Sequence, residues 1–487
     1  MNDSVNNWES YPNILEINTW VWLNELSANY NKEILLDSVP EEIFDTYLNK
    51  FDAIWLMGVW ERSLESKKIA QEHLGLQREF HEALDDFNID DVIGSPYAVY
   101  YYHVDSHLGG TEALQTFRKN LKKRNIKLIL DYVPNHVAKD HLWTLETLEI
   151  FVEGTKEDLR TNPDAYFKMY DKIYAHGKDP NFPPWTDTIQ INAFSQRARI
   201  KAINTLLLIA EQCDGVRCDM AMLMKNEIFK KTWKDKVKEA PEKEFWEEII
   251  PSIKETYPKF KFIGEVYWDM EWNLLQQGFD YCYDKRLYDR IMDYNIKGIK
   301  DHLTADFDYQ KNLVRFIENH DEKRAVKRLD KELSKAAAVL VLTLPGMGFI
   351  HEGQMKGYKI RIPIQLKRRK EEEKNTELFG FYQKILQIIG KNNIKAGQWE
   401  LCEGTEDENI ISYHWWNKSG EYLIVINMSN QKTKPYIKIP HLQVDLETIQ
   451  FKNLMTEKTS RLITDDIKKE GRLLELDEYG FLIFQLQ

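Results

Sequence analysis

Short apolar runs recur through the first three quarters of the chain, and stretches of helical pattern such as TEALQTFRKNLKKRN (111–125) separate them. The runs are hydrophobic at consecutive rather than alternating positions, which is typical of strands buried on both faces of a parallel sheet. Eight such β-then-α units predict an α/β fold, a (β/α)₈ TIM barrel. The runs are ILEIN (14–18), AIWLMGV (53–59), IKLILDYV (126–133), GVRCDM (215–220), KFIGEV (261–266), GFDYCYD (278–284), LVRFIEN (313–319) and GMGFIHE (346–352).

Two departures from this pattern predict further domains. The stretch after the third run is longer than a crossover needs and is rich in Pro, Gly and Asp, which indicates a small inserted subdomain over 137–190. After about residue 395 the pattern alternates, as in NIISYHWW and EYLIVINMS, which predicts a C-terminal antiparallel β-domain, a β-sandwich over 396–487. The barrel then occupies 1–136 and 191–395.

Composition narrows the classes of partner. The formal charge of −12 argues against nucleic acid or an anionic membrane as the main partner and is compatible with a neutral ligand. Four cysteines without paired metal spacing favour a reducing compartment, and the N-terminus lacks the pattern of an export signal, so a cytoplasmic location is expected. The mixed-charge block LKRRKEEEK (366–374) is expected to be a solvated loop.

Polar residues collect where the predicted strands end. Active sites of such barrels lie at the C-terminal ends of the strands, so these side chains are expected to converge on one mouth. A single acid at a strand end is more often a helix cap or an ion-pair partner, but acids after three strands are not explained in that way. The strand-end residues are Asn135, His136, Arg217, Asp219, Glu265, His320 and Asp321.

The segments that contain these residues carry a family resemblance. DYVPNH, GVRCD, GEVYW and FIENHD resemble, in this order, the four signature segments of the α-amylase superfamily of glycoside hydrolases and transglycosidases. SPYAVYYYHVDSHLGG, from Ser95, resembles the segment that precedes the third strand in that family. The resemblance covers nearly the whole chain, including the inserted subdomain and the C-terminal β-domain.

The resemblance implies a division of labour among three carboxylates. Asp219 would be the nucleophile that attacks the anomeric carbon, and Glu265 the general acid and then the general base. Asp321 would hold sugar hydroxyls and favour the positively charged transition state. This chemistry needs one ionised and one protonated carboxyl group, which different surroundings can provide.

The remaining roles concern binding. Arg217 would keep Asp219 ionised, His136 and His320 would donate hydrogen bonds to sugar hydroxyls, and Tyr97 would stack on a sugar ring. Arg324 is expected either to orient Asp321 or to lie on the surface. The resemblance thus implies a retaining α-glycoside hydrolase that acts by double displacement on α-glucans or malto-oligosaccharides, with no prediction of oligomeric state.

The sequence also departs from the family pattern. Met222 and Leu223 stand where many hydrolysing members have a Lys–His pair that holds the sugar beyond the cleavage point, which leaves a transglycosidase as an alternative. Asn135 and Asn192 match two positions that bind calcium in many amylases, but the lost carboxylate favours no metal.

Two other classes of protein stay open. One is a metal-dependent barrel hydrolase, and the other is a non-catalytic sugar-binding barrel, which would be expected to lose members of the acid set. The metal ligands of the first would be His136, His141, Asp219 and His320.

Overall fold

The core of the molecule is a closed barrel of eight strands, in which each strand neighbours the next along the chain and the last neighbours the first. Each of these strands overlaps one of the eight apolar runs, and the predicted (β/α)₈ barrel is confirmed. The strands are β1 (Asn13–Asn18), β2 (Ala53–Met57), β3 (Lys127–Tyr132), β4 (Gly215–Cys218), β5 (Lys261–Gly264), β6 (Tyr281–Tyr283), β7 (Leu313–Arg315) and β8 (Met347–His351).

Burial on both faces explains the pattern of these strands. Every residue of β1, β2 and β3 is buried, so both sides of each strand must carry side chains that tolerate removal from water. The β3–β4 and β4–β5 pairs are parallel, as crossover connections require.

Helices connect the strands and bury one face. The Gly110–Lys122 helix, for example, buries Ala113, Leu114, Phe117 and Leu121, which repeat at helical spacing. The longer helices are Thr19–Tyr30, Leu64–Glu72, Leu74–Ala83, Gly110–Lys122, Gln196–Gln212, Asn226–Trp233, Phe245–Thr256, Lys285–Met292, Ile296–Leu303, Lys331–Thr343 and Thr376–Asn392. The shorter ones are Glu41–Thr46, Trp143–Glu146, Lys156–Thr161, Glu271–Gln276, Phe307–Gln310, Ala325–Arg328 and Thr464–Glu470.

The segment between β3 and the Gln196–Gln212 helix carries small sheets of its own. His136–Ala138 pairs with Thr188–Gln190, and Lys172–Ala175 pairs with both Glu153–Gly154 and Tyr166–Met169. A separate apolar cluster that includes Phe151, Tyr174 and Ile189 lies beneath them. One further short pair, Trp60–Arg62 with Val99–Val104, follows β2.

The C-terminal region forms a six-stranded antiparallel sheet, which confirms the predicted antiparallel β-domain. The order of its strands across the sheet is 398–401, 410–417, 420–427, 481–486, 448–453 and 459–463. A two-stranded pair, Tyr436–Ile437 with Arg472–Leu473, accompanies it. The strands of the large sheet are β9 (Gln398–Leu401), β10 (Ile410–Asn417), β11 (Gly420–Asn427), β12 (Thr448–Asn453), β13 (Thr459–Ile463) and β14 (Phe481–Leu486).

The chain divides into two compact units that do not follow its order. The first consists of residues 1–8, 16–283 and 361–371, and the second of residues 9–15, 284–360 and 372–487. The predicted domain limits at 136, 190 and 395 stay predictions.

The mixed-charge block lies in a loop, as expected, but the side chains of its basic half form ion pairs with distant acids. Arg368 makes a two-point contact with Asp91 at 2.7 and 2.8 Å and a further one with Asp86 at 3.0 Å. Arg369 pairs with Glu25 at 3.4 Å, and Lys370 pairs with Asp85. These ion pairs were not expected, because the acids that pair with the block lie far away in the sequence, where a charge count does not reveal them.

The described residues are 7–402, 407–418, 420–439, 441–443 and 447–487 of this computed structural model. Residues 1–6, on which part of the expectation about the N-terminus rests, lie outside them. Within these ranges no helix is long and apolar enough to cross a membrane.

Candidate active site

Two of the predicted carboxylates follow neighbouring strands at the same level. Cys218 of β4 pairs with Gly264 of β5, so the residues that come next are Asp219 and Glu265. The amide of Glu265 donates to the carbonyl of Cys218 at 3.0 Å, which continues the ladder to the strand end. Parallel pairing therefore brings these two acids together, as the position of each at a strand end predicts.

The guanidinium of Arg217 contacts both carboxylates. Its Nη1 donates to Oδ1 of Asp219 at 2.7 Å, and its Nη2 lies 2.7 Å from Oε2 of Glu265. The arginine is only 1% exposed. Burial alone would lower the pKa of Arg217, but the charges of Glu265 and Asp219 outweigh it and raise the pKa well above its ordinary value. The guanidinium therefore stays charged between the two acids.

Both oxygens of Glu265 are held by donors of the same unit. The Tyr267 hydroxyl donates to Oε1 at 2.8 Å, and the Met220 amide donates to Oε2 at 2.7 Å. Met220 adopts a left-handed backbone with φ of 41°, which is unfavourable for a residue with a side chain. Strain of about 1–3 kcal/mol at such a position persists only where its surroundings fix it, and here it aims an amide at the carboxylate.

Aromatic rings surround the Arg217 guanidinium. Its central carbon lies 5.1 Å from the ring centre of Tyr97, 5.3 Å from that of Trp55 and 6.0 Å from that of Tyr283. These rings attract the cation and exclude water from its sides. Tyr97, the predicted stacking residue, thus lies at the same centre as the two acids.

His136 also belongs to this unit and is uncharged at neutral pH. Desolvation lowers its pKa to about 4, against the opposing effects of Asp187 and of a hydrogen bond to the Tyr97 backbone. Its ring centre lies 4.9 Å from that of Trp185, which the inserted segment contributes. His136 is therefore placed beside Tyr97 by direct contact.

His320 and Asp321 lie in the second unit, after β7. Nε2 of His320 is 3.1 Å from Oδ2 of Asp321, and the side chain of His320 is buried whereas that of Asp321 is 46% exposed. Oδ1 of Asn319 accepts the amides of Asp321 and Glu322 at 3.0 Å and so fixes the turn. The roles of His320 and Asp321 stay predictions.

Arg324 fits neither of its two expected roles. It is buried rather than on the surface, and its Nη1 lies 3.1 Å from Glu318 while its Nη2 donates to the Glu352 carbonyl at 2.9 Å. The sequence interpretation overlooked Glu318 because that residue stands inside an apolar run.

The positions that depart from the family pattern are also visible. Met222 and Leu223 are 0% and 3% exposed, so these side chains are part of the core. Oδ1 of Asn135 accepts from Gln190 at 2.9 Å, and Oδ1 of Asn192 accepts the Phe194 amide at 3.0 Å. Both amide oxygens suggested for calcium are thus engaged by the protein.

No group of three or more His, Cys, Asp or Glu side chains that could hold a metal ion occurs among the residues the structure describes.

Three buried histidines give a prediction for the pH dependence of stability. Desolvation lowers the pKa of His136 and His176 to about 4 and that of His141 to about 3. Their unfolded forms take up protons near pH 6.5, so the free energy of unfolding should rise with pH between about 4 and 6.5, at up to about 1.4 kcal/mol per pH unit for each histidine.

Urea unfolding between about pH 4.5 and 7 measures this slope. The variant His141→Gln should show a smaller slope than the unmodified protein. Equal slopes in the two proteins would contradict the assignment.

Three contacts of the site were missed from the sequence. Tyr267, the Met220 amide and Asp131 all contact the central groups, and Asp131 Oδ1 lies 3.8 Å from Arg217 Nη1. A signal existed for Asp131, because an acid inside an apolar run needs a buried cation nearby. Tyr267 follows Glu265 by two positions and so shares its side of the chain, but a backbone amide leaves no trace in a sequence pattern.

Comparison with known proteins gives a consistent picture. The model of the alpha amylase catalytic domain matches residues 50–196. Alpha-amylase 3 of Dictyoglomus thermophilum is 23% identical over 443 residues, which cover 79% of this chain and 81% of the relative. A cyclomaltodextrinase of Thermoanaerobacter pseudethanolicus is 22% identical over 400 residues, which cover 77% of this chain and 62% of the relative.

Solved structures share the fold along nearly the whole chain. A maltogenic alpha-amylase from Thermotoga neapolitana has a TM-score of 0.68 at 19% identity, with 99% of each chain covered. An alpha-amylase from Geobacillus thermoleovorans, solved with acarbose, has the same TM-score at 18% identity, again with 99% of each chain covered. The matched family model and the relatives along most of the chain are alpha-amylases and related enzymes, and the solved structures share the fold, so the chain is similar to the α-amylase superfamily.

Proposed function

We propose that the protein is a retaining α-glycoside hydrolase that cleaves α-glucans or malto-oligosaccharides by double displacement. The observation that carries the proposal is the contact of one buried guanidinium with both Asp219 and Glu265 at adjacent strand ends. Such an arrangement keeps two carboxyl groups close together, as a retaining glycosidase needs for a nucleophile and an acid/base about 5 to 5.5 Å apart.

In the first step, Asp219 attacks the anomeric carbon and forms an ester with the sugar while the glycosidic bond breaks. Glu265 gives its proton to the departing oxygen, which leaves as a hydroxyl group. In the second step, Glu265 takes a proton from water, the oxygen of that water forms a bond with the anomeric carbon, and the ester to Asp219 breaks. The carboxyl groups return to their first state.

The other site residues act on binding and orientation in this proposal. Tyr97 stacks on the sugar that is attacked, because its ring lies against Arg217 beside the nucleophile. His136 is neutral and next to Tyr97, so it can serve as a hydrogen-bond partner without adding charge. Asp321, with His320 beside it, holds sugar hydroxyls, a role that rests on the family resemblance.

Transfer to a second sugar is the alternative function. The side chains of Met222 and Leu223, which are buried, are the reason for considering it. Neither supplies a polar group to hold the acceptor. Incubation with maltoheptaose separates the two activities: a hydrolase gives only shorter sugars, whereas a transglycosidase also gives longer or branched ones.

The stereochemistry of the product tests the mechanism itself. Two displacements at one carbon restore its configuration, so an α-linked substrate should first release an α-configured product. Proton NMR in the first minutes, before the free sugar equilibrates, measures the anomer. A β-configured first product would mean inversion and would rule out Asp219 as a covalent nucleophile.

A cytoplasmic location is part of the proposal. Its support is the state of the four cysteines, all of which are free and three of which are buried. Thiols in this state suit a reducing compartment.

A further inference from the structure

A cavity of about 410 Å³ lies at the end of the barrel opposite the carboxylates. It is formed where β3, β4 and β5 begin, and its lining includes Lys127, Asp214 and Phe260. From Asp214 to Asp219 the chain runs along β4, a distance of about 16 Å for extended backbone. The cavity, called here the basal cavity, is therefore separate from the candidate active site.

Cations dominate the lining of the basal cavity. Arg118, Lys122, Lys127 and Lys259 face two acids, Glu211 and Asp214. Arg118 is already committed to protein groups, since its Nη2 contacts Asp214 Oδ1 at 2.8 Å and its Nη1 donates to the Glu211 carbonyl at 2.7 Å. Three lysines remain, against the exposed Glu211 carboxylate at the rim.

Lys127 is the unusual member of this group. Lys127 is only 7% exposed, although lysine is almost never buried without a partner. Within the described residues, no acceptor or carboxylate pairs with its ammonium group. Asp214, the acid whose charge acts on Lys127, is used by Arg118 and by the Leu128 amide at 2.9 Å.

The charges around Lys127 further disfavour a charged ammonium group without a partner. Burial lowers its pKa, and the like charges of Lys122, Lys259 and Arg118 act in the same direction, while Asp214 acts against them. A concave surface with an excess of one sign of charge concentrates the opposite ion. An anion with several oxygens could accept hydrogen bonds from all three ammonium groups. A carboxylate side chain has only two oxygens and is less suited to this.

One wall of the basal cavity is aromatic. Trp8 packs over Gly215, where an added Cβ would lie 3.2 Å from the indole ring, and Tyr257 and Phe260 line the cavity as well. The flat apolar wall and the volume leave room for an organic group beside a charged head.

We propose that the basal cavity binds a phosphate-bearing anion through Lys127, with Lys122 and Lys259 at its mouth. The shared chemistry is a phosphate group, either free or carried on a sugar or similar organic body. This site does not depend on the proposed glycosidase activity.

Isothermal titration calorimetry on the full chain tests the proposal with inorganic phosphate, glucose 6-phosphate and glucose, at constant ionic strength set with chloride. Saturable binding of the two phosphates, and none of glucose at this site, is the expected result. Tighter binding of glucose 6-phosphate than of phosphate would assign the organic body to the aromatic wall, and equal binding would assign the site to the free ion.

Variants identify the site. Lys127→Met should weaken phosphate binding at least about tenfold, because it removes a charge-assisted contact from a buried position. Lys119→Met is the matched control, since Lys119 is exposed on the same helix as Lys122 and does not line the cavity. If Lys127→Met does not fold, the pair Lys122→Glu and Lys259→Glu at the exposed mouth should produce a loss of similar size.

Three results would overturn the proposal. One is no saturable binding of either phosphate compound at millimolar concentration. Another is equal weakening by Lys119→Met and Lys127→Met, which would mean non-specific attraction to a charged surface. The third is phosphate affinity that neither Lys127→Met nor the double variant changes.

Discussion

Replacement of Asp219 by Asn and of Glu265 by Gln should each nearly abolish the cleavage of malto-oligosaccharides, but for different chemical reasons. Loss of the nucleophile removes the attack on any substrate, with an expected fall in kcat/KM of at least about 10³-fold. Loss of the acid should cost about 10² to 10⁴-fold on a sugar leaving group, which needs a proton. Both replacements keep the size of the side chain, so the contacts with Arg217 and Tyr267 lose charge rather than volume.

A maltosyl fluoride substrate separates the two roles, because fluoride leaves without a proton. The variant Glu265→Gln should recover much of its first-step rate on this substrate, whereas Asp219→Asn should stay inactive. The control is Glu227→Gln, which changes an exposed acid on the helix after β4 and should leave the rates near those of the unmodified protein. Losses below about tenfold in both site variants, with circular dichroism showing intact folds, would sink the assignment.

Replacement of Arg217 by Met should damage stability and activity together. The arginine is buried between two carboxylates, and its removal leaves their charges without a buried partner, which typically costs about 3 to 5 kcal/mol of unfolding free energy. Activity should fall by at least about 10²-fold, since the charge states of Asp219 and Glu265 both depend on this cation. Urea unfolding and kcat/KM measure the two effects.

Arg217→Lys provides the informative comparison. A lysine keeps the charge but carries one compact ammonium group in place of a planar fork, so it cannot contact both acids as the guanidinium does. It should recover part of the stability lost in Arg217→Met but little of the activity. Full activity in Arg217→Lys would show that bridging the two carboxylates is unimportant.

The fold could be predicted because burial leaves a direct mark on the sequence. The strands of the barrel are apolar at consecutive positions. A run such as KLILDY, buried at every position, fits a strand in the interior of a parallel sheet, where neighbouring strands pair with its backbone. Asp219 and Glu265 were found by the same route, since each directly follows a buried strand.

The rest depends on contacts between distant parts of the chain. Arg324 was misplaced because its partner Glu318 lies within an apolar run. The ion pairs of the basic block at 366–370 were missed because its acids lie near residues 25 and 85–91. The Met220 amide could not be predicted at all, because its direction depends on a backbone turn and on no side-chain property.

The ion pairs of Arg368 have a consequence for the order in which the protein is made. The first unit ends at Tyr283 in its main stretch, yet it also includes residues 361–371, and the carbonyl of Ile364 accepts a hydrogen bond from Arg62 at 2.9 Å. A ribosome that has just released residue 283 from its exit tunnel still needs on the order of 5 to 15 seconds to deliver the missing segment. During that interval Asp91 and Asp86 have no Arg368, so nascent chains of this protein should expose an incomplete first unit to chaperones until residue 371 has left the tunnel.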